Sequence, residues 1–199
     1  MTNPDLLIYA LHAGFWAAFG VAIAIAKRST VPAATAPAPE VQAPRTAPFS
    51  RAALTLHTLA FGVLYWGLGT AILPARVPHW FAGQQVAGAL VIALGAGLAC
   101  WAVASFHSWR LLAQLDAGHQ LATGGPFRWL RHPIYMALNL FALGSALWVP
   151  APVVWVAFLL MVAGGEWRAR IEERVLADAF GSTYTDYCAR TRRFIPGFY

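Results

Sequence analysis

Five apolar blocks separated by short or proline-rich stretches fill most of the chain, and the first three are long enough for a helix to cross the roughly 30 Å core of a bilayer. They run from about Leu6 to Ala26, Ala52 to Leu73, Trp80 to Phe106, Ile134 to Trp148, and Pro152 to Gly165. The last two are shorter and are joined only by Val149-Pro150-Ala151, so they read as a tight helical hairpin that spans through tilt or local thinning of the lipid. Lipid satisfies no exposed backbone N–H or C=O, which forces such blocks to be helical. The expected fold is therefore all-α, a polytopic integral membrane protein with about five transmembrane helices. Composition agrees: 59% of residues are hydrophobic and 11% charged, where soluble domains carry about a quarter charged. A soluble monomer, a disordered chain and a disulfide-stapled secreted domain are all excluded.

The N-terminal block has Asp5 before it and Lys27-Arg28 after it, the reverse of a cleavable signal, so it reads as a permanent first helix over residues 1–28. Residues 29–50 hold five prolines and form a solvated Pro/Ala-rich linker of dispensable length; residues 51–199 form the remaining core. The net charge of +6 marks no nucleic-acid surface, because the basic residues form no stripe interleaved with exposed aromatics. It records topology instead. With the N-terminus outside, 13 of the 14 Lys and Arg residues fall on the inner side and Arg76 alone falls outside. That distribution predicts a multi-pass protein with a cytosolic C-terminus, placed in a bacterial inner membrane. The two cysteines, Cys100 and Cys188, lie in no metal-binding spacing. Gly95-x-Gly97 has no strand before it, so it reads as a site of helix approach rather than a dinucleotide loop.

His12, His57 and His107 raise the possibility of a haem-binding, non-catalytic membrane protein. At 1.5 Å of rise per residue, His12 lies about 10 Å below the outer end of its span and His57 about 9 Å above the inner end of its own. The resulting height difference of roughly 10 Å is too large for two axial ligands of one iron, so helix packing is the better reading and no metal site is expected.

The chemistry-bearing residues gather elsewhere, in the polar stretch 107–133 and the C-terminal region. His119 to Tyr135 contains two His, two Arg, flexible glycines and aromatics just ahead of a helix that Pro133 can start. His132 and Tyr135 are three apart and share a face there. The last apolar block runs on into Glu166-Trp167-Arg168-Ala169-Arg170-Ile171-Glu172-Glu173-Arg174, with Arg168 and Glu172 one turn apart. Then follow Phe180-Gly181-Ser182-Thr183-Tyr184-Thr185-Asp186-Tyr187 and Arg193-Phe194-Ile195-Pro196.

Gly-Pro-aromatic, Arg-His-Pro-x-Tyr, a hairpin, paired Glu, Phe-Gly-x-x-Tyr-x-x-Tyr and a terminal Arg-aromatic-Ile-Pro, in that order over residues 110–196, resemble the isoprenylcysteine carboxyl methyltransferase family and related membrane phospholipid methyltransferases. The resemblance implies methyl transfer from S-adenosylmethionine, leaving S-adenosylhomocysteine, in a cytosolic pocket built from the 107–133 loop and the C-terminal helix. Carried onto matching positions, the donor contacts are His119, Gln120, Leu121, Ala122, Phe127, His132, Pro133, Ile134, Tyr135 and Glu172, and Arg168 is the catalytic residue at the reacting group of the substrate. Leu112 and Phe127 stand where relatives can have Gln and Tyr. The implied partners are the bilayer and a lipophilic or prenylated acceptor, with no obligatory protein partner. A carboxylate or thiolate acceptor needs no general base whereas an amine does, which favours O- or S-methylation over N-methylation, and the resemblance puts the carboxylate of a prenylcysteine-like group first. The competing acceptors are a phospholipid amine and a small thiol.

Overall fold

The computed structural model describes residues 4–28, 49–74, 77, 80–106 and 121–198. Among them are six α-helices: α1 (Leu7–Arg28), α2 (Ser50–Ile72), α3 (Gln84–Ala104), α4 (Pro133–Trp148), α5 (Pro152–Phe180) and α6 (Ser182–Arg190). No β-strand occurs among the described residues; the one extended pairing is a parallel bridge between Leu130 and Arg192. Four helices, α1, α2, α3 and α5, are long and apolar enough to cross a membrane, and α4 is a shorter apolar helix of 16 residues.

The first four helices follow the apolar blocks to within a few residues. Helix α3 starts later than its block because Gly83 takes a left-handed conformation (φ 82°) and the Gln84 side chain accepts the Trp80 amide at 2.7 Å. Helix α5 extends its block by four turns. Nothing in Glu166–Arg174 breaks a helix, and Arg170 pairs with Glu166 one turn away at 2.6 Å.

Burial is distributed as a lipid solvent requires. Helix α4 buries 12 of its 16 residues, whereas α3 turns Val86, Leu90 and Leu94 outward at four-residue spacing, with Leu94 66% exposed. In water such faces would associate; in lipid they are ordinary surface, and helix association depends on close packing. Close packing here rests on small residues. Gly88 and Gly144 face each other across α3 and α4, and a Cβ on either would lie 2.6 Å from the other's carbonyl oxygen.

The two ends of the bundle differ chemically. At one end Asp5, buried beneath α1, accepts from Gln85 Nε2 at 2.6 Å and Trp148 Nε1 at 3.1 Å, tying together the starts of α1 and α3 and the end of α4. Lys27, Arg28, Arg51 and the Arg residues of the 128–131 and 168–193 segments belong to the opposite end. His12 packs on Phe141 at 4.3 Å, edges Tyr65 at 5.5 Å and bonds Ser145 Oγ at 3.0 Å. His57 precedes Tyr65 by eight residues on α2, about 12 Å of helix, so the two imidazoles occupy different layers. His107 lies outside the described residues.

Gly144→Ala is expected to force α3 and α4 apart at backbone atoms that cannot yield, at a cost of about 1–3 kcal/mol. Gly97→Ala, where a Cβ meets nothing within 4 Å, should leave stability unchanged or slightly raised. Thermal unfolding of the two variants in detergent, read side by side, checks this contrast.

Candidate active site

At the charged end, the segment before α4 is bent into shape by a short 3-10 turn, Gly125–Arg128. Gly125 has φ 56° and its Cβ position is filled by the Ser105 side chain, so only glycine fits there. Phe127 is buried, with its ring 5.5 Å from that of Phe106, and its carbonyl accepts the Tyr187 hydroxyl of α6 at 2.8 Å. The C-terminal segment is thereby brought back under α4. Arg131 and His132 amides donate to the Arg192 and Arg193 carbonyls at 2.7 and 3.2 Å, and Arg192 returns a bond to the Trp129 carbonyl at 2.9 Å.

Glu173 holds this arrangement in place. Its carboxylate accepts from Arg131 Nε at 2.8 Å, from Arg193 Nη2 at 2.6 Å and Nε at 3.1 Å, and from His132 Nε2 at 3.3 Å. Arg193 also reaches Glu166 at 2.7 Å. One residue earlier, Glu172 lies 3.6 Å from His132 Nδ1 and accepts the Tyr135 hydroxyl. The His132 and Tyr135 rings stack 5.7 Å apart. Arg168, 8% exposed, places its guanidinium over the Tyr135 ring at 4.7 Å. Burial alone would draw the His132 imidazole down, but hydrogen bonds and negative charge from Glu172 and Glu173 outweigh it and raise its pKa above the ordinary value.

Of the residues singled out in the sequence, Arg168, Tyr135, His132 and Glu172 meet in one cluster. Pro133 and Ile134 are buried in the first turn of α4, beside it. Leu121 and Ala122 are half-buried ahead of the 3-10 turn, Ala122 packing on the core. His119, Gln120 and Leu112 lie outside the described residues. Sequence spacing did not join Glu173, Arg131 and Arg193, which are bound into one network only through tertiary contact; the adjacency of Glu173 to Glu172, the Arg-His-Pro motif and the terminal Arg193-Phe194 were its traces.

Apolar helices of membrane length packed around a buried α4, with the described Lys and Arg residues gathered at one end, define an integral, multi-pass membrane protein. A family model described as phospholipid methyltransferase matches residues 84–183, half of the chain, and the chain belongs to that family. The Protein-S-isoprenylcysteine O-methyltransferase of Saccharomyces cerevisiae is 29% identical over 86 residues, covering 41% of this chain and only 34% of that protein. Protein-S-isoprenylcysteine O-methyltransferase B of Arabidopsis thaliana is 27% identical over 146 residues, 69% of this chain and 71% of that one. Among solved structures, the eukaryotic intramembrane Ras methyltransferase, isoprenylcysteine carboxyl methyltransferase, shares the fold with a TM-score of 0.64 at 23% identity, over 99% of this chain and 69% of the other.

Two outcomes follow from the carboxylate network. Glu173→Gln should destabilise the chain by about 2–4 kcal/mol, below the figure for a fully buried pair because the cluster is partly exposed, and should open residues 191–198 to protease. His132 binds its proton more tightly folded than unfolded, so its contribution is complete below about pH 6.5 and fades as pH rises through the raised native value. The melting midpoint of wild type should fall over that rise, and that of His132→Gln should lack this component.

Proposed function

We propose that the chain is a membrane methyltransferase that uses S-adenosylmethionine to methylate the carboxylate of a lipophilic, prenylcysteine-like acceptor. The observation that carries this reading is Arg168 buried over Tyr135, with the Tyr135 hydroxyl bound to Glu172, one helical turn beyond Arg168. A permanent cation, an aromatic face and a carboxylate converge within one turn of α5, at the membrane boundary. That donor set fits the methyl donor. Glu172, with a quarter of its side chain exposed (24%), can accept from hydroxyl or amino groups, and the Tyr135 and His132 rings offer flat faces to a sulfonium or an adenine. Phe127, Leu121, Ala122, Pro133 and Ile134 would form the apolar part of that pocket, and the first-turn amides of α4 after Pro133 would be available to its carboxylate tail. His119 and Gln120 are carried as donor contacts by the resemblance alone.

The chemistry supplied by bound S-adenosylmethionine is an electrophilic methyl group, lost to an acceptor oxygen as the C–S bond breaks with its electron pair going to sulfur. The work of the chain's residues is positional. Arg168 pairs the acceptor carboxylate and orients it, while the buried setting excludes water that would solvate that anion. No proton moves, since a carboxylate is already the nucleophile. Glu173 acts one step away, fixing His132 and thereby the start of α4. We also propose that the charged end is cytosolic in a bacterial inner membrane, that the acceptor enters laterally from the bilayer, and that residues 29–50 act as a linker outside the 51–199 core.

Calorimetry with S-adenosylhomocysteine and a labelled-donor assay in nanodiscs test the assignment together. Glu172→Ala and His132→Ala should weaken product-analogue binding by tenfold or more, whereas Arg168→Ala should bind it normally and lose turnover by about 100-fold. Absence of binding by folded wild type would overturn the reading. Deleting residues 32–44 should leave both measurements largely intact.

A further inference from the structure

Where α3 ends, two half-exposed tryptophans meet. The ring of Trp101 on α3 and that of Trp129, just past the 3-10 turn, lie 5.8 Å apart at 57°, and the Arg128 guanidinium sits 5.7 Å over the Trp129 ring. Trp101 is 47% exposed and Trp129 51%. Arg192, also exposed, is brought to the same edge by the bond from its amide to the Trp129 carbonyl. Gly125 fixes the arrangement: a Cβ there would come 3.3 Å from Trp101 Nε1, so the turn carrying Arg128 and Trp129 lies directly against the Trp101 indole. Among the described residues, neither indole N–H nor the Arg128 guanidinium meets a hydrogen-bond acceptor or a carboxylate. All of these groups are donors only. Toward the membrane interior, α3 turns an apolar stripe outward through Gly97, Leu94 and Leu90, and a Cβ on Gly97 would meet nothing within 4 Å. Leu90 lies eleven residues from Trp101, about 16 Å of helix, which matches the hydrocarbon depth of one leaflet.

We propose that this corner of the molecule is a binding site for one anionic phospholipid of the leaflet at the charged end, with its phosphate on Arg128 and the two indole N–H groups and an acyl chain along the α3 stripe. A set of donors without acceptors calls for a headgroup that supplies acceptors, and a phosphodiester does. Net charge then selects the lipid class. A zwitterionic headgroup carries an ammonium beside Arg128 and Arg192, with no carboxylate in the cluster to receive it. Phosphatidylglycerol carries the same phosphate with neutral hydroxyls. At the membrane surface one basic side chain favours an anionic lipid by about fivefold. The Trp129 face holds the Arg128 guanidinium at headgroup level, so that this charge is in place before the lipid arrives. These residues are distinct from the Arg168–Glu172 cluster, and the site does not depend on the identity of the methyl acceptor.

The test is native mass spectrometry of the full chain released from nanodiscs made of equal parts phosphatidylglycerol and phosphatidylcholine with matched acyl chains, reading which lipid is the last to leave. Wild type should retain phosphatidylglycerol over phosphatidylcholine by about threefold or more. Arg128→Gln should bring that ratio close to unity, and Arg128→Lys, which keeps the charge, should recover part of it. Trp129→Leu, which removes the seat of the guanidinium, should lower the ratio as well. Arg51→Gln removes another exposed cation at the same end and should leave the ratio largely intact. Equal retention of the two lipids by wild type would reduce the corner to an ordinary aromatic belt and overturn the inference. A loss in Arg51→Gln matching that in Arg128→Gln, or a Lys variant no better than the Gln variant, would overturn it too.

Discussion

Glu172 and Glu173 stand side by side where α5 leaves the apolar part of the bundle, and two adjacent carboxylates half-removed from water need compensation from cations and hydroxyls. Glu173 finds it in Arg131, His132 and Arg193, Glu172 in Tyr135 and His132. These partners come from the segment entering α4 and from the far end of the chain. Meeting the demand of one turn of α5 therefore brings two remote segments into register with it. The labour divides: Glu173 is fully engaged by cations, and Glu172, held by a hydroxyl and an imidazole and more exposed, is the carboxylate we propose to meet the methyl donor.

The lipid environment explains why the rest of the bundle can be so plain. Outward faces cost nothing in hydrocarbon, so cohesion must come from close approach, and the chain obtains it from Gly88 with Gly144 and from small residues facing α4. A short α4 is tolerable because it is almost wholly surrounded by protein. The polar anchor at the far end, Asp5 with Gln85 and Trp148, closes the bundle where no chemistry is proposed. All the unusual burial of polar groups near Arg168, including His57 and Asn139, falls on the half of the bundle that leads to the Glu172 turn.

Much of this was legible in residue order. Apolar runs located α1 to α4 closely, since length and backbone satisfaction leave a membrane segment few choices. The extension of α5 through Glu166–Arg174 was harder to foresee, because hydropathy reports the solvent around a helix and not the helix itself. Arg168, His132, Tyr135 and Glu172 were recognisable as motif residues, and they meet in one cluster. The hub at Glu173 was not, because its partners are 42 and 20 residues away and only the return of the chain under α4 unites them. His57 looked like a packing residue for the same reason: its relation to Tyr135 and Gly164 exists only across helices.

The central claim is methyl transfer to a carboxylate. Its most direct measurement is the fate of label after incubating the reconstituted protein with methyl-labelled S-adenosylmethionine and an N-acylated S-prenylcysteine. Label should enter the lipid-extractable product and be released as volatile methanol by mild alkali, as a methyl ester requires. Alkali-stable label in the acceptor or in phospholipid, or no transfer by protein that is folded, would contradict the account.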